Sequence, residues 1–125
     1  MSKKKIILLI EDDTDQIFMY QSKFELEGLE LISVRRGSEG IKLVKKSKPA
    51  AILLDLVLIG ENGLDILAEL KKDPMIRDIP VIILTNLVQK DVIAKAKNLG
   101  AVDFLVKTDM MPADVVKRVK NILKI

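Results

Sequence analysis

Five short apolar runs punctuate the chain: Ile6–Ile10, Leu29–Val34, Ala51–Leu54, Val81–Leu84 and Phe104–Val106. Most are near-continuous and rich in β-branched residues rather than alternating. That is the pattern of strands buried on both faces of a parallel sheet. Leu29–Val34, interrupted by Glu30 and Ser33, is the least apolar and suits an edge. Helical periodicity fills the gaps. Ile17, Tyr20 and Phe24 stand at i, i+3 and i+7, with Gly28 closing the helix. Ser38 is placed to cap a helix carrying Ile41 and Val44. Asn62 is placed to cap one carrying Leu64, Leu67 and Leu70, which ends at Asp73-Pro74. Val92, Ala96 and Leu99 mark a fourth helix, closed by Gly100. Pro112 opens a fifth, with Val115, Val116, Val119, Ile122 and Leu123 on its inner face.

The order is therefore (βα)5, with no repeat or linker, and residues 1–125 are expected to form one domain. Such alternation implies a parallel sheet with helices on both faces. Five units are too few for an eight-fold barrel. The fold expected is α/β: a doubly wound five-stranded parallel sheet in a three-layer sandwich, with the flavodoxin-like order 2-1-3-4-5.

Composition narrows the chemistry. There is no cysteine and no histidine among the 125 residues, so thiolate sites and imidazole bases are excluded. Catalysis must rely on carboxylates, hydroxyls and lysines. No apolar run reaches the ~20 residues of a membrane span. The start, Met1-Ser2-Lys3-Lys4-Lys5, is basic, but the apolar run after it is too short for a signal peptide and ends in Glu11-Asp12-Asp13. A soluble, cytoplasmic protein is expected. The net charge is +3, yet the lysines are spread at helical spacings and only four Phe and Tyr residues are present, so solvated helix faces are favoured over nucleic-acid binding.

In open α/β sheets, ligands bind beyond the carboxyl ends of the strands. The first run ends in Glu11-Asp12-Asp13, the third in Asp55, the fourth in Thr85-Asn86 and the fifth in Lys107. Taken singly, each has an ordinary reading: Asp13 or Thr14 as a helix cap, a threonine as a cap, a lysine at the surface. Jointly they gather several carboxylates, a hydroxyl and an ammonium group in one crevice, which is repulsive without a bound cation. An oxygen-only donor set selects Mg²⁺, Mn²⁺ or Ca²⁺ over zinc. A carboxylate can be a covalent nucleophile and form an acyl phosphate.

These residues resemble the receiver domain of bacterial two-component response regulators. The likeness is carried by Leu9-Ile10-Glu11-Asp12-Asp13, Leu53-Leu54-Asp55-Leu56, Gly60-Glu61-Asn62-Gly63, Ile83-Leu84-Thr85-Asn86 and the run from Gly100 to Lys107, and it spans essentially the whole chain. The resemblance implies that Asp55 is the phosphoacceptor. It implies that Asp12, Asp13, Asp55 and the backbone carbonyl of Val57 hold Mg²⁺, with Mn²⁺ as a substitute. Thr85 would be the switch hydroxyl, Phe104 the aromatic that turns inward with it, and Lys107 the partner of Asp55 and then of the phosphate. The donor would be a histidine kinase or a phosphotransfer protein. Helix 4, strand 5 and helix 5 would form the surface read by a downstream protein, which the sequence does not name. The chain would be a signalling module rather than an enzyme acting on a separate substrate, without a nucleic-acid or membrane partner.

Three positions depart from the family pattern. Thr108 stands where a proline with a cis peptide usually follows the lysine, which puts the loop from Thr108 to Met111 in question. Ile59 replaces a common proline after the phosphoacceptor. Asn86 replaces a small residue after the threonine and can either narrow the pocket or add a hydrogen bond. Val57 and Leu87 stand where the family flanks the path of hydrolytic water, and as aliphatic residues they imply a long-lived acyl phosphate. Competing readings fit less well. A haloacid-dehalogenase-type phosphatase needs Asp-x-Asp after its first strand, and Asp55-Leu56-Val57 lacks it. A flavodoxin-like FMN binder needs a hydroxyl- and glycine-rich loop where Glu11-Asp12-Asp13 stands. A degenerate receiver acting as a scaffold is disfavoured because all five key residue types are present. No output domain follows the last helix, so either a stand-alone receiver or an excised part of a longer protein is expected.

Overall fold

The computed structural model describes residues 4–125. Residues 1–3 of the basic start Met1-Ser2-Lys3-Lys4-Lys5 lie outside the described residues. Five strands form one parallel sheet: β1 (Ile6–Ile10), β2 (Glu30–Val34), β3 (Ala51–Leu54), β4 (Val81–Thr85) and β5 (Asp103–Val106). Their order is β2-β1-β3-β4-β5, as the sequence predicts. The edge position of β2 follows from its half-exposed, polar-interrupted run.

Four helices connect the strands, α1 (Thr14–Leu26), α2 (Gly37–Ser47), α3 (Gly63–Lys72) and α4 (Lys90–Leu99), and α5 (Pro112–Leu123) follows the last strand. The period-two alternation of the strands sorts them into two layers. Leu8, Ile10, Ile52, Leu54, Val81 and Ile83 face α2, α3 and α4. Ile7, Leu9, Ala51, Leu53, Ile82, Leu84 and Leu105 face α1 and α5. The strands are thus apolar on both sides because both sides are core.

Local chemistry fixes the helix ends. Asp13 caps α1, accepting from the amides of Asp15 at 2.9 Å and Gln16 at 3.1 Å. Gly28, at φ +84°, is the left-handed residue past α1: its amide reaches Glu25 O at 3.1 Å and that of Leu29 reaches Phe24 O at 3.0 Å. Asn62 caps α3 through the Leu64 amide at 2.9 Å.

The expected Ser38 cap is not formed. Helix α2 begins two residues earlier than that cap would set it, at Gly37, and its flanking residue Arg36 makes no side-chain cap bond. The acceptor comes instead from across the molecule. Glu61 Oε1 accepts from the Gly37 amide at 2.7 Å and Oε2 from the Ser38 amide at 3.1 Å. A carboxylate at a helix N-terminus also meets the favourable end of the helix dipole, which a neutral serine would not. Glu61 itself lies on a small antiparallel ladder, Val57–Leu58 against Glu61–Asn62, which the sequence reading did not foresee.

Candidate functional site: an acidic pocket closed by a lysine

Glu11, Asp55 and Thr85 are the polar residues buried as whole residues among those described, at 1%, 5% and 0% exposure, and all three meet at one place. Each follows directly on a central strand or ends it. Glu11 continues the alternation Ile7-Leu9, Asp55 continues Ala51-Leu53, and Lys107 continues from Leu105. All three therefore point to the α1/α5 side of the sheet's carboxyl edge. Thr85 continues Val81-Ile83 on the other side and reaches across.

Asp55 accepts three hydrogen bonds. Its Oδ1 takes the Thr85 hydroxyl at 2.8 Å and the Val57 amide at 3.0 Å. Its Oδ2 takes the Lys107 ammonium at 2.7 Å. Lys107 Nζ also donates to Glu11 Oε1. The Thr85 oxygen in turn accepts from the Leu87 amide at 3.3 Å. Both oxygens of the Asp55 carboxylate are thus held in place by donors. Burial pushes the Glu11 carboxyl above its usual range, and the hydrogen bond from Lys107 offsets this only in part. Burial acts the other way on Lys107, but its hydrogen bonds and charge attraction to Asp55 and Glu11 outweigh it and leave the ammonium pKa raised.

The neighbouring acids Asp12 and Asp13 take different hydrogen-bond partners. Asp12 turns toward the loop after β3, where its Oδ2 accepts from the Ile59 amide at 2.7 Å. Asp13 lies at the rim, one carboxylate oxygen committed to the α1 cap. The acid that joins Asp55 and Lys107 is Glu11, which the sequence reading grouped with its neighbours but gave no role. Extending the strand alternation by one residue would have found it. Phe104 is half-buried and packs on the α2–α4 side of the core. The Lys107–Thr108 peptide is trans, as are all those described. Lys107–Asp109 forms a single 3₁₀ turn, and the Thr108 amide donates to Asn86 Oδ1 at 3.0 Å. Of the two readings left open for Asn86, the added hydrogen bond is the one formed.

A cleft of about 360 Å³ opens over these groups, lined by Glu11, Asp12, Asp13, Gln16, Asp55, Val57, Thr85, Asn86, Leu87 and Lys107. Its oxygen-only donors suit a hard cation. Among the described residues no three acidic side chains are drawn together into a cage, and Lys107 stands between Glu11 and Asp55. Mg²⁺ does not need such a cage, since it keeps several waters and takes one or two carboxylates. Gln16 lines the same cleft, and its Oε1 is a buried acceptor with no partner among the described residues. The donor set therefore fits a hydrated divalent ion. The start of α3 packs closely on the chain after Asp55: a Cβ on Gly63 would fall 2.3 Å from Leu56 Cα, so this approach requires that residue 63 have no side chain.

Comparison with known proteins agrees with this geometry. Residues 7–120 match the family model of the response regulator receiver domain. Protein PilH of Pseudomonas aeruginosa is 31% identical over 99 residues, covering 79% of this chain and 82% of PilH. Among solved structures, the phosphorylated cyanobacterial phytochrome response regulator RcpA is 27% identical with a TM-score of 0.85, over 98% of this chain and 95% of that one. The Mn²⁺-bound form of response regulator Rcp1 is 30% identical with a TM-score of 0.79, over 94% of this chain and 91% of that one. Phosphorylation on aspartate and binding of a divalent metal are general properties of the family these proteins share. The chain belongs to the receiver-domain family of two-component response regulators.

Proposed function

We propose that residues 1–125 act as one receiver domain whose phosphoacceptor is Asp55. The observation that carries this reading is the set of bonds at Asp55: a buried carboxylate held by Lys107 and Thr85 at the carboxyl edge of the central strands. A carboxylate oxygen of Asp55 attacks phosphorus, an O–P bond forms, and the bond from phosphorus to the donor's nitrogen or oxygen breaks. The leaving group takes the electron pair, and a proton where it needs one. Lys107 then faces the new negative charge, and the Thr85 hydroxyl is free to donate to a phosphoryl oxygen.

Mg²⁺, or Mn²⁺ in its place, would be held by Asp55, Asp12 and the Val57 carbonyl, with Glu11 also in reach. Asp13, tied to the α1 cap, contributes through water. When bound, the ion offsets charge on the phosphoryl oxygens. The donor is a histidine kinase or a phosphotransfer protein, and the module acts on no separate substrate. Thr85 and Phe104 relay the change to the surface of α4, β5 and α5, which a downstream protein reads in the cytoplasm. Neither nucleic acid nor membrane is a partner on this reading. Val57 and Leu87 line the cleft as aliphatic groups and leave water poorly positioned, so the acyl phosphate is long-lived.

Incubation with acetyl phosphate and Mg²⁺, followed by intact-mass measurement, tests the reading. Wild type gains one phosphoryl group and Asp55→Asn gains none; an unmodified wild type favours the scaffold reading. In the same assay, Val57→Asn should shorten the lifetime of the phosphorylated form. An unchanged lifetime removes the role given to Val57.

A further inference from the structure

Two loops carry the groups that hold Asp55. One follows β4 and starts from Thr85. The other follows β5 and starts from Lys107. The last paired rung between these strands is Thr85 with Val106. Beyond it, among the described residues, no backbone hydrogen bond joins the two loops. A side chain does so instead: Asn86 Oδ1 accepts from the Thr108 amide at 3.0 Å.

The placement follows from the alternation of the strands. Asn86 extends Ile82-Leu84, so it lies on the α1/α5 side of the sheet, the side that Lys107 occupies one strand away. The turn that carries Lys107 is weakly closed from within. Its one internal bond, from the Met110 amide to Lys107 O, is 3.4 Å long, beyond the usual range for N–H to O. Asn86 supplies a better bond from outside. A proline at position 108 would have no N–H to offer. The two departures, Thr108 for proline and Asn86 for a small residue, are therefore one feature.

We infer that Asn86 is a positioning residue for phosphoryl transfer: through the Thr108 amide it holds the Lys107 turn against the Thr85 loop. It touches no reacting atom. It fixes the backbone from which the Lys107 ammonium reaches Asp55, and it makes the lysine and threonine loops move as a unit. This rests on the reading of Asp55 as phosphoacceptor. The plainer alternative is an exposed loop hydrogen bond without effect on the chemistry.

A double-mutant cycle separates the two. Thr108→Pro removes the amide donor, Thr108→Ala keeps it, and Asn86→Ala removes the acceptor. Thr108 amide exchange, followed by NMR on the unphosphorylated protein, should quicken in Asn86→Ala and stay near wild type in Thr108→Ala. The rate of phosphorylation by saturating acetyl phosphate and Mg²⁺ should fall about fivefold in Asn86→Ala, the rate equivalent of one hydrogen bond. In the Thr108→Pro background, Asn86→Ala should change the rate no further. Thermal midpoints, read alongside, confirm that each rate belongs to folded protein. Unchanged exchange in Asn86→Ala shows that the bond is absent. Quickened exchange with a wild-type rate shows that it positions nothing. An equal loss in the Thr108→Pro background shows that Asn86 acts by another route. Each of these overturns the inference while a phosphorylated wild type leaves the reading of Asp55 intact. A wild type that takes up no phosphoryl group overturns both.

Discussion

Lys107 stands between two buried carboxylates, and its own side chain is 8% exposed. Desolvating three charges offsets what the two ion pairs return, so such a cluster is a poor way to stabilise a fold. Removing only the cation is worse, since two buried acids are left facing each other. Lys107→Met should lower unfolding free energy by ~3 kcal/mol at pH 7, measured by urea titration. The loss should shrink as pH falls, because burial holds the Glu11 carboxyl above its usual range and its protonation relieves the repulsion. The alkaline side has a definite sign. The folded pKa of Lys107 is raised, so its contribution is complete below 10.5 and is lost as pH rises through the folded value. Tyr20 acts in the same direction. Burial first, then the Glu11 and Asp55 charges against that of Lys107, lift its phenol above 10.0, so the fold loses stability as tyrosinate forms. Tyr20 is the one tyrosine of the chain, and there is no tryptophan. Tyrosinate absorbance should therefore stay low just above pH 10.0 and rise together with loss of helical circular dichroism. A free, early titration would contradict its placement.

At the scale of elements, the loop after β3 is held at two points. Asp12 binds the Ile59 amide and Glu61 caps α2. Glu61→Ala should cost ~1–2 kcal/mol and quicken amide exchange at Gly37 and Ser38. Ser38→Ala should stay within about 0.5 kcal/mol of wild type, because its side chain caps nothing. The reverse ranking would restore the cap expected from sequence. The contrast shows what a sequence can carry. Asp13, Asn62, Gly28 and Pro112 act on their own turns, and their roles were readable because donor and acceptor are a few residues apart. Glu61 and Gly37 are 24 residues apart and meet only once the sheet is assembled. Nothing local distinguishes Glu61 from a solvated acid. The same holds for Asn86 and Thr108, each legible as a departure from the family pattern but not as a pair.

At the scale of the molecule, the buried-strand runs and the helical periods were sufficient for the alternating elements and the two core layers, while the sheet order came from the commonest arrangement of an open doubly wound sheet. The position of the site followed too, because the chemistry-bearing residues all come after strands. The choice of acids within it did not follow so readily. Motif matching favoured Asp12 and Asp13, whereas the strand alternation puts Glu11 beside Lys107 and leaves Asp13 on a helix cap. Divalent metal should stabilise the whole fold, by ~2.7 kcal/mol at one hundred times its dissociation constant, because the pocket exists only in the folded chain. Thermal midpoints with and without Mg²⁺ check this. Asp12→Ala should lose most of the Mg²⁺ shift; full retention would remove Asp12 from the metal set. The central claim, that Asp55 takes the phosphoryl group, is tested most directly by locating the modification. Wild type treated with acetyl phosphate and Mg²⁺ is reduced with borohydride, which converts an aspartyl phosphate to homoserine, and the peptides are sequenced by mass spectrometry. Homoserine at position 55 and at no other aspartate is the result predicted. Homoserine at Asp12 or Asp13, with Asp55 intact, would contradict the account.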